Sequence, residues 1–329
     1  MGSLEIRNFK SIKHVTLESR RVNILIGEPN TGKSNILEAI GLLSHVCNGH
    51  IEAFVRFESM IDLFYDHLLE ESVEIECDGR TLRIDFKEGA FSGYLSSSRA
   101  QQPFGVIFRY GYQGGESRLP SDSAVWKALV DFKFYRFVKR SNFPDQKSEF
   151  LKPSDGSNLL HVVMTRKELR KIVSEIFGKF GYRIVFKPEE GKIEVQKESE
   201  DIIISFPYSL ASETLQRVVF YLSAIYSNRD SVITFEEPEA HAFPYYTKYL
   251  AERIALDKNN NQYFIATHNP YFLISILEKT PKKDVATFLT YIENYQTKIK
   301  TLSEKEKAEI LRMGTDVFFN VEKFLGKRK

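Results

Sequence analysis

Three short apolar runs divide the chain into regions that we expect to form strands of a buried sheet. They are Val22–Ile26, Ser231–Phe235 and Gln262–Ala266. Apolar runs of about four to eight residues are typical of strands covered on both faces. After the first run the apolar positions recur at the spacing of one helix face, at Ile36, Leu37, Ile40 and Leu43. The pattern predicts an α/β fold with a parallel core sheet.

Alternating apolar and polar positions predict antiparallel strands elsewhere in the chain. Two alternating segments, 73–77 and 82–86, flank an Asp-Gly pair that is a strong hairpin signal. A second meander is predicted within residues 182–204. The region from about 120 to 180 is expected to be mainly helical, because its apolar residues recur every three to four positions. The sequence therefore predicts accessory sheets and a helical lobe beside the core.

Composition changes this picture little. The 329 residues carry a formal net charge of +2, which argues neither for nor against nucleic acid. No apolar run approaches the roughly 20 residues that span a bilayer, and charged residues interrupt the N-terminus where a signal peptide would be apolar. Cys47 and Cys77 lack metal-type spacing. We expect a cytoplasmic protein that does not contact a membrane.

The strongest motif follows the first apolar run. Residues 27–34, Gly-Glu-Pro-Asn-Thr-Gly-Lys-Ser, fit the phosphate-loop pattern between a predicted strand and a predicted helix. In such loops the backbone N–H groups surround the phosphates. Lys33 would reach the β- and γ-phosphates, and the Ser34 hydroxyl would ligate Mg²⁺. The residues predicted to bind ATP are Gly27, Asn30, Thr31, Gly32, Lys33, Ser34 and Asn35.

Polar residues follow the other two apolar runs. Glu236 and Glu237 end the second run, and His268 follows the third. Ligands of α/β proteins bind where parallel strands end. We expect Glu236 to hold Mg²⁺, Glu237 to activate the attacking water, and His268 to contact the γ-phosphate or that water. The alternatives are a solvated acidic turn and a structural histidine.

In this order the motifs resemble the ABC-type ATPase heads of the SMC, RecF and OLD-like proteins, above all the compact AAA-family ATPases of that clade. The resemblance rests on the phosphate loop and on four further segments: Leu4–Ser11, Asp155–Leu159, Phe235–His241 and Thr267–Pro270. It implies a P-loop NTPase head with a mixed, mostly parallel core sheet, an antiparallel accessory sheet and a helical lobe. It also implies one head over 1–329, with lobe I at 1–118, an insert at 119–205 and lobe II at 206–329.

Heads of this type carry a signature loop that contacts ATP across a dimer. Ser212 and Glu213 match that loop, whereas Thr214 stands where the clade has glycine. Ser212 would alternatively only cap the helix that follows. Glu236 likewise stands where the family usually has Asp. The candidate glutamines for a metal-sensing loop are Gln101, Gln102 and Gln113.

The leading hypothesis is a Mg²⁺-dependent ATPase that forms an ATP-sandwiched homodimer, with Lys33, Glu237 and His268 as catalytic residues. A nucleotide-gated switch with negligible turnover is the first alternative. A DNA-stimulated ATPase is the second, because basic and aromatic residues alternate over 133–140 and could contact phosphates and bases. An ordinary amphipathic helix would explain that cluster equally well.

Overall fold

The computed structural model describes residues 1–97, 105–115, 123–145 and 148–326. Its strands are β1 (Ser3–Phe9), β2 (Ile12–Glu18), β3 (Val22–Gly27), β4 (Val73–Cys77), β5 (Arg80–Lys87), β6 (Ala90–Ser97), β7 (Val106–Tyr110), β8 (Phe132–Tyr135), β9 (Arg183–Lys187), β10 (Lys192–Ser199), β11 (Ile202–Pro207), β12 (Val232–Glu236), β13 (Gln262–Ala266), β14 (Val285–Glu293) and β15 (Gln296–Thr301). Its helices are α1 (Lys33–Asn48), α2 (Ser123–Leu129), α3 (Leu159–Thr165), α4 (Lys167–Gly178), α5 (Glu213–Ser227), α6 (Pro244–Ala255), α7 (Pro270–Lys279) and α8 (Glu304–Met313).

The core sheet has the order β15-β14-β3-β13-β12-β8, and only the β14–β15 pair is antiparallel. The three apolar runs form β3, β12 and β13, as the sequence predicts, and lie side by side. Because these strands are parallel, their carboxyl ends meet at one edge of the sheet. The segments that follow them, including the phosphate loop, are thereby brought together.

An antiparallel sheet of order β2-β1-β4-β5-β6-β7 lies beside the core sheet. The predicted hairpin forms β4 and β5, paired from Val73–Ile84 to Cys77–Arg80. Helix α1 is packed between the two sheets, since residues from all three share one hydrophobic cluster. Leu25 faces that cluster, whereas its neighbours Ile24 and Ile26 face the other one. This alternation explains why β3 is apolar along its whole length.

The second cluster covers the opposite face of the core sheet. It includes residues of α3–α8 and of β10. The predicted second meander forms a separate three-stranded sheet of order β11-β10-β9. None of the helices in the described part of the chain is long and apolar enough to cross a membrane.

The expectation of mainly helical structure over 120–180 is wrong in one important place. Residues Phe132–Tyr135 form β8, which pairs in parallel with β12 at the edge of the core sheet. All four side chains are buried. The sequence Phe-Lys-Phe-Tyr alternates with period two, but the region as a whole was predicted to be helical from the spacing of its apolar residues. The amphipathic-helix explanation of the 133–140 cluster is therefore also wrong.

Candidate active site

The phosphate loop joins β3 to α1 and depends on two glycines with positive φ. Gly27 has φ 148° and Gly32 has φ 94°. A Cβ atom at Gly27 would overlap Thr290, and one at Gly32 would overlap Thr297. Thr31 lies 2.6 Å from the Thr290 hydroxyl (Oγ1 to Oγ1). The loop is thus fitted against the β14–β15 hairpin, which only glycine permits at these two positions.

Lys33 begins α1 and is 5% exposed. Its Nζ donates hydrogen bonds to the backbone carbonyls of Gly27 (3.0 Å) and Glu28 (2.7 Å). Burial lowers the pKa of Lys33 to about 8, although Glu237 and Glu28 act in the opposite direction. The ammonium therefore lies within the loop itself, bonded to carbonyl oxygens that a phosphate can replace as acceptors.

The turn after β1 also contacts the phosphate-loop region through hydrogen bonds. Asn35 donates a 2.7 Å hydrogen bond from Nδ2 to Ser11 Oγ, and Ser11 lies 2.7 Å from Thr297 Oγ1. The neighbouring Lys10 donates to Glu38 of α1. Asn35, one of the predicted ATP ligands, is therefore engaged within the protein and orients the turn.

The carboxylate of Glu236 ends β12 close to the phosphate loop. Arg136 donates to Oε2 from Nε (3.1 Å) and Nη2 (2.9 Å), and Arg56 donates to Oε1 from 3.1 Å. Burial opposes ionisation of Glu236, but Arg136, the Ser34 hydroxyl and Arg56 outweigh it and lower its pKa. The two predicted metal ligands, Ser34 and Glu236, thus lie in contact.

Glu38 is the second carboxylate of this ion network. It is fully buried in α1, accepts a 2.6 Å hydrogen bond from Arg56 Nε, and lies 3.5 Å from Arg136 Nη2. Glu38, Arg56 and Arg136 were not predicted as site residues, because no phosphate-loop or strand-end motif includes them. The one available signal was a charged residue within the apolar stripe of α1, which requires a buried partner.

Glu237 and His268 lie at the ends of adjacent strands. His268 Nε2 is 3.5 Å from Glu237 Oε1, and both side chains are partly exposed. Burial and the charge of Lys33 lower the pKa of His268, while Glu237 acts in the opposite direction. Glu237 has φ 42°, a left-handed conformation that turns its side chain out of the strand direction. A half-exposed carboxylate beside a neutral imidazole can accept a proton from water.

Glu239 was also missed as an individual residue, although its motif was noted. It is 4% exposed and accepts a hydrogen bond from the hydroxyl of Thr267, the residue before His268. Burial raises the pKa of Glu239 to about 7, although the hydrogen bond from Thr267 acts in the opposite direction. Thr267 in turn accepts a 3.0 Å hydrogen bond from the Asn269 N–H. Glu239 therefore positions the loop that carries His268.

The signature-like loop begins α5. Ser212 occupies the N-cap position, but its side chain makes no capping hydrogen bond, so the capping interpretation loses its main support. Glu213 pairs with Arg217 one turn later at 2.8 Å. Thr214, at the position where the resemblance implies glycine, donates a 2.9 Å hydrogen bond to the His241 carbonyl. Thr214 thereby ties α5 to the loop that follows the acidic strand.

The structure thus brings Lys33, Ser34, Glu236, Glu237 and His268 to one edge of the core sheet. Among the candidate glutamines, Gln101 and Gln102 lie outside the described residues. Gln113 is exposed in the turn between the bridged residues Gly111 and Gly114.

The family model described as the AAA ATPase domain matches residues 1–208. The chain therefore belongs to this family, and the predicted enzyme class, an ATPase, is confirmed. The matched segment includes the phosphate loop and ends before Glu236. An ATP/GTP phosphatase of Helicobacter pylori (strain ATCC 700392 / 26695) is 21% identical over 358 aligned positions, covering 94% of each chain.

Two solved structures show the same fold. One is an SMC head bound to the C-terminal winged-helix domain of ScpA, with TM-score 0.58, 17% identity, and coverage of 93% of this chain and 98% of that one. The other is an Smc head with an extended coiled coil bound to the C-terminal domain of ScpA, derived from Pyrococcus furiosus, with TM-score 0.56, 16% identity and coverage of 94% and 98%. The predicted fold class, a P-loop NTPase of the ABC-type head kind, is confirmed.

The depressed pKa of Lys33 predicts how nucleotide affinity depends on pH. Phosphate binds the charged ammonium, so ATP affinity should be constant below about pH 8 and fall above it, by up to about tenfold per pH unit. Fluorescence titration with a labelled ATP analogue from pH 7 to 9.5 measures this. A Lys33→Arg variant is the control, because arginine stays charged throughout. An unchanged affinity across that range in the wild-type protein would contradict the assignment.

The raised pKa of Glu239 predicts a stability effect. The folded protein holds a proton there up to about pH 7, whereas the unfolded chain loses it near the ordinary value of 4.5. Folding stability should therefore decrease as pH rises through this window. Glu239→Gln removes the cost of ionisation, so at pH 8 it should be more stable than wild type by about 1–3 kcal/mol.

Urea denaturation at pH 8 and pH 5 measures this difference, which should shrink at the lower pH. The exposed Glu278→Gln in α7 is the matched control and should change stability little at either pH. A Glu239→Gln variant that is less stable than wild type at pH 8 would show that the carboxylate is ionised and needed in the folded state.

Proposed function

We propose that this chain binds ATP at the carboxyl edge of its core sheet and hydrolyses it to ADP and phosphate with Mg²⁺, in an ATP-sandwiched homodimer. The observation that carries this proposal is the pair Glu237–His268, at 3.5 Å, beside the buried ammonium of Lys33. A phosphate loop alone supports only binding. A carboxylate and an imidazole at the adjacent strand ends supply groups for activating water.

Each residue then has a distinct task. The backbone of residues 27–35 surrounds the phosphates, and Lys33 exchanges its carbonyl partners for phosphate oxygens. Glu237 accepts the proton of the attacking water, and His268 orients that water or the γ-phosphate. Glu239 keeps the His268 loop in place through Thr267.

Two oxygen-bearing side chains of the site fit a magnesium ion. The Ser34 hydroxyl and the ionised carboxylate of Glu236 are in contact, and oxygen atoms of this kind are the ligands that Mg²⁺ prefers. When bound, the metal would neutralise phosphate charge. Glu236 also pairs with Arg56 and Arg136, so metal binding competes with two guanidinium groups. That competition favours the second candidate, a nucleotide-gated switch with negligible turnover.

The homodimer is supported at the start of α5. The Ser212 side chain is exposed and makes no capping hydrogen bond. It borders a cavity of about 890 Å³ whose rim includes the exposed side chains of Leu210, Phe243 and Tyr245. Exposed apolar groups beside a polar loop are typical of association surfaces. Ser212 and Glu213 of one copy would complete the nucleotide site of the other.

The DNA-stimulated alternative loses part of its sequence support, namely the first four residues of the basic and aromatic cluster at 133–140. Lys133, Phe134 and Tyr135 are buried and cannot stack on bases or contact phosphates of a nucleic acid. Arg136 is engaged with Glu236. A cytoplasmic location remains a prediction. The preference for adenine or guanine is a separate question, because the relative from Helicobacter pylori is named for both ATP and GTP. Assays therefore need both nucleotides.

Replacing Glu237 with Gln tests the hydrolytic role. The amide cannot accept a proton, so phosphate release should fall by about 10²–10⁴-fold while ATP affinity changes little. Phosphate release with Mg-ATP and Mg-GTP is the measurement, and Glu278→Gln is the control. Equal rates for wild type and Glu237→Gln would remove Glu237 from this role. Tight binding with negligible wild-type turnover would instead favour the switch.

The dimer is tested in the Glu237→Gln background, which should retain bound ATP. With Mg-ATP, light scattering should show the mass of a dimer, and without nucleotide that of a monomer. Ser212→Arg should abolish the ATP-dependent dimer by inserting a large side chain between the copies. Ser174→Arg, at an exposed position of α4, is the matched control. A dimer that survives Ser212→Arg would contradict the proposed interface.

A further inference from the structure

Lys133 is a buried cation that the proposed hydrolysis does not use. It lies in β8 and is 2% exposed, and its Nζ has no hydrogen-bond partner among the described residues. The Nζ is 3.3 Å from the centroid of the Phe150 ring, a cation–π contact. A buried ammonium without a hydrogen-bond acceptor is costly, because burial removes its water and supplies no replacement partner. Burial accordingly lowers the pKa of Lys133 to about 7.

Lys133 lines a cavity of about 330 Å³. Two further cations, Arg166 and Arg229, line the same cavity. Arg166 donates through Nη2 to the backbone carbonyls of Glu149 and Ser227, at 2.5 and 3.2 Å, and its Nε is buried without a partner among the described residues. Backbone carbonyls leave the positive charge of Arg166 uncompensated.

The acidic groups at this cavity are fewer than the basic ones. Asp131 and Glu149 line it. Burial raises the pKa of Asp131, although Lys133 and a nearby arginine act in the opposite direction. Three cations therefore face two carboxylates, and one of these carboxylates is itself destabilised as an anion.

The cavity is distinct from the nucleotide site. Lys133 pairs with Ile233 near the start of β12, and the lining residues Ser231 and Asn259 precede β12 and β13. The nucleotide residues follow the opposite, carboxyl ends of the same strands. The volume is at the small end of ligand pockets, which span about 300–1,000 Å³. It suits a compact ion better than a nucleotide.

We propose that this cavity is a binding site for a compact oxyanion, held by Lys133 with Arg166 and Arg229. The anion would supply the hydrogen-bond acceptors that the Lys133 ammonium and the Arg166 Nε lack. Phosphate and small carboxylates share this chemistry. They are the two sources that the experiment has to separate.

The probe is inorganic phosphate, titrated calorimetrically at constant ionic strength. The protein carries Lys33→Ala, which removes phosphate binding at the phosphate loop. We expect one saturable site per chain. Adding Lys133→Met should weaken it at least tenfold, whereas adding Lys139→Met, at an exposed lysine six residues further on, should leave it unchanged. The same titration with malonate separates the two ligand classes. Tighter binding of phosphate indicates a phosphate site, and tighter binding of malonate indicates a carboxylate site.

Folding of the variants is followed by thermal denaturation. Lys133→Met should raise the melting temperature without added anion, because methionine replaces an uncompensated buried charge, and should abolish the further rise that phosphate gives. Arg229→Gln, at the exposed rim, provides a second variant that should weaken binding without disturbing the core. No saturable binding of phosphate or malonate, or equal affinity with and without Lys133→Met, would overturn the proposal.

Discussion

The phosphate loop can follow its path only because two of its positions lack a Cβ atom. At Gly27 and Gly32 the backbone is pressed against Thr290 and Thr297 of the β14–β15 hairpin. Any side chain there would push the loop away from the hairpin. The same hairpin contacts Ser11 in the turn after β1. The loop is therefore held between two parts of the chain that are distant in sequence, and its N–H groups are fixed before a phosphate arrives.

This fixed loop is coupled to the acidic strand by charge. Glu38 lies one turn into α1 and is fully buried, so it requires cations around it. Lys10, Arg56 and Arg136 supply these cations, and the two arginines also contact Glu236. One ion network thus joins the phosphate-loop helix to the carboxylate that is proposed to hold the metal. The carboxylate of Glu236 lies within hydrogen-bond distance of both guanidinium groups.

Local spacing along the sequence was sufficient to predict the core strands that lead to the nucleotide site. Runs of apolar residues located β3, β12 and β13, and the groups that follow them, including Glu237 and His268, meet because parallel strands end together. Contacts between distant segments had no such signal. Thr290 and Thr297 look like ordinary strand residues, and Arg136 lies in a basic cluster that suggested a helix. Whether a charged residue is solvated or buried depends on which strands become neighbours, and spacing along the chain does not specify this.

Strand β8 shows the consequence most clearly. It is four residues long, lies at the edge of the core sheet and pairs only with β12 within that sheet. Lys133 near its start lines the cationic cavity, and Arg136 directly after its end holds Glu236. Hydrogen bonds weaken steeply with distance and angle, so the position of this one short strand sets the geometry at both places. Three of the residues that the sequence suggested as a nucleic-acid surface, Lys133, Phe134 and Tyr135, instead lie in this strand, which pairs with β12.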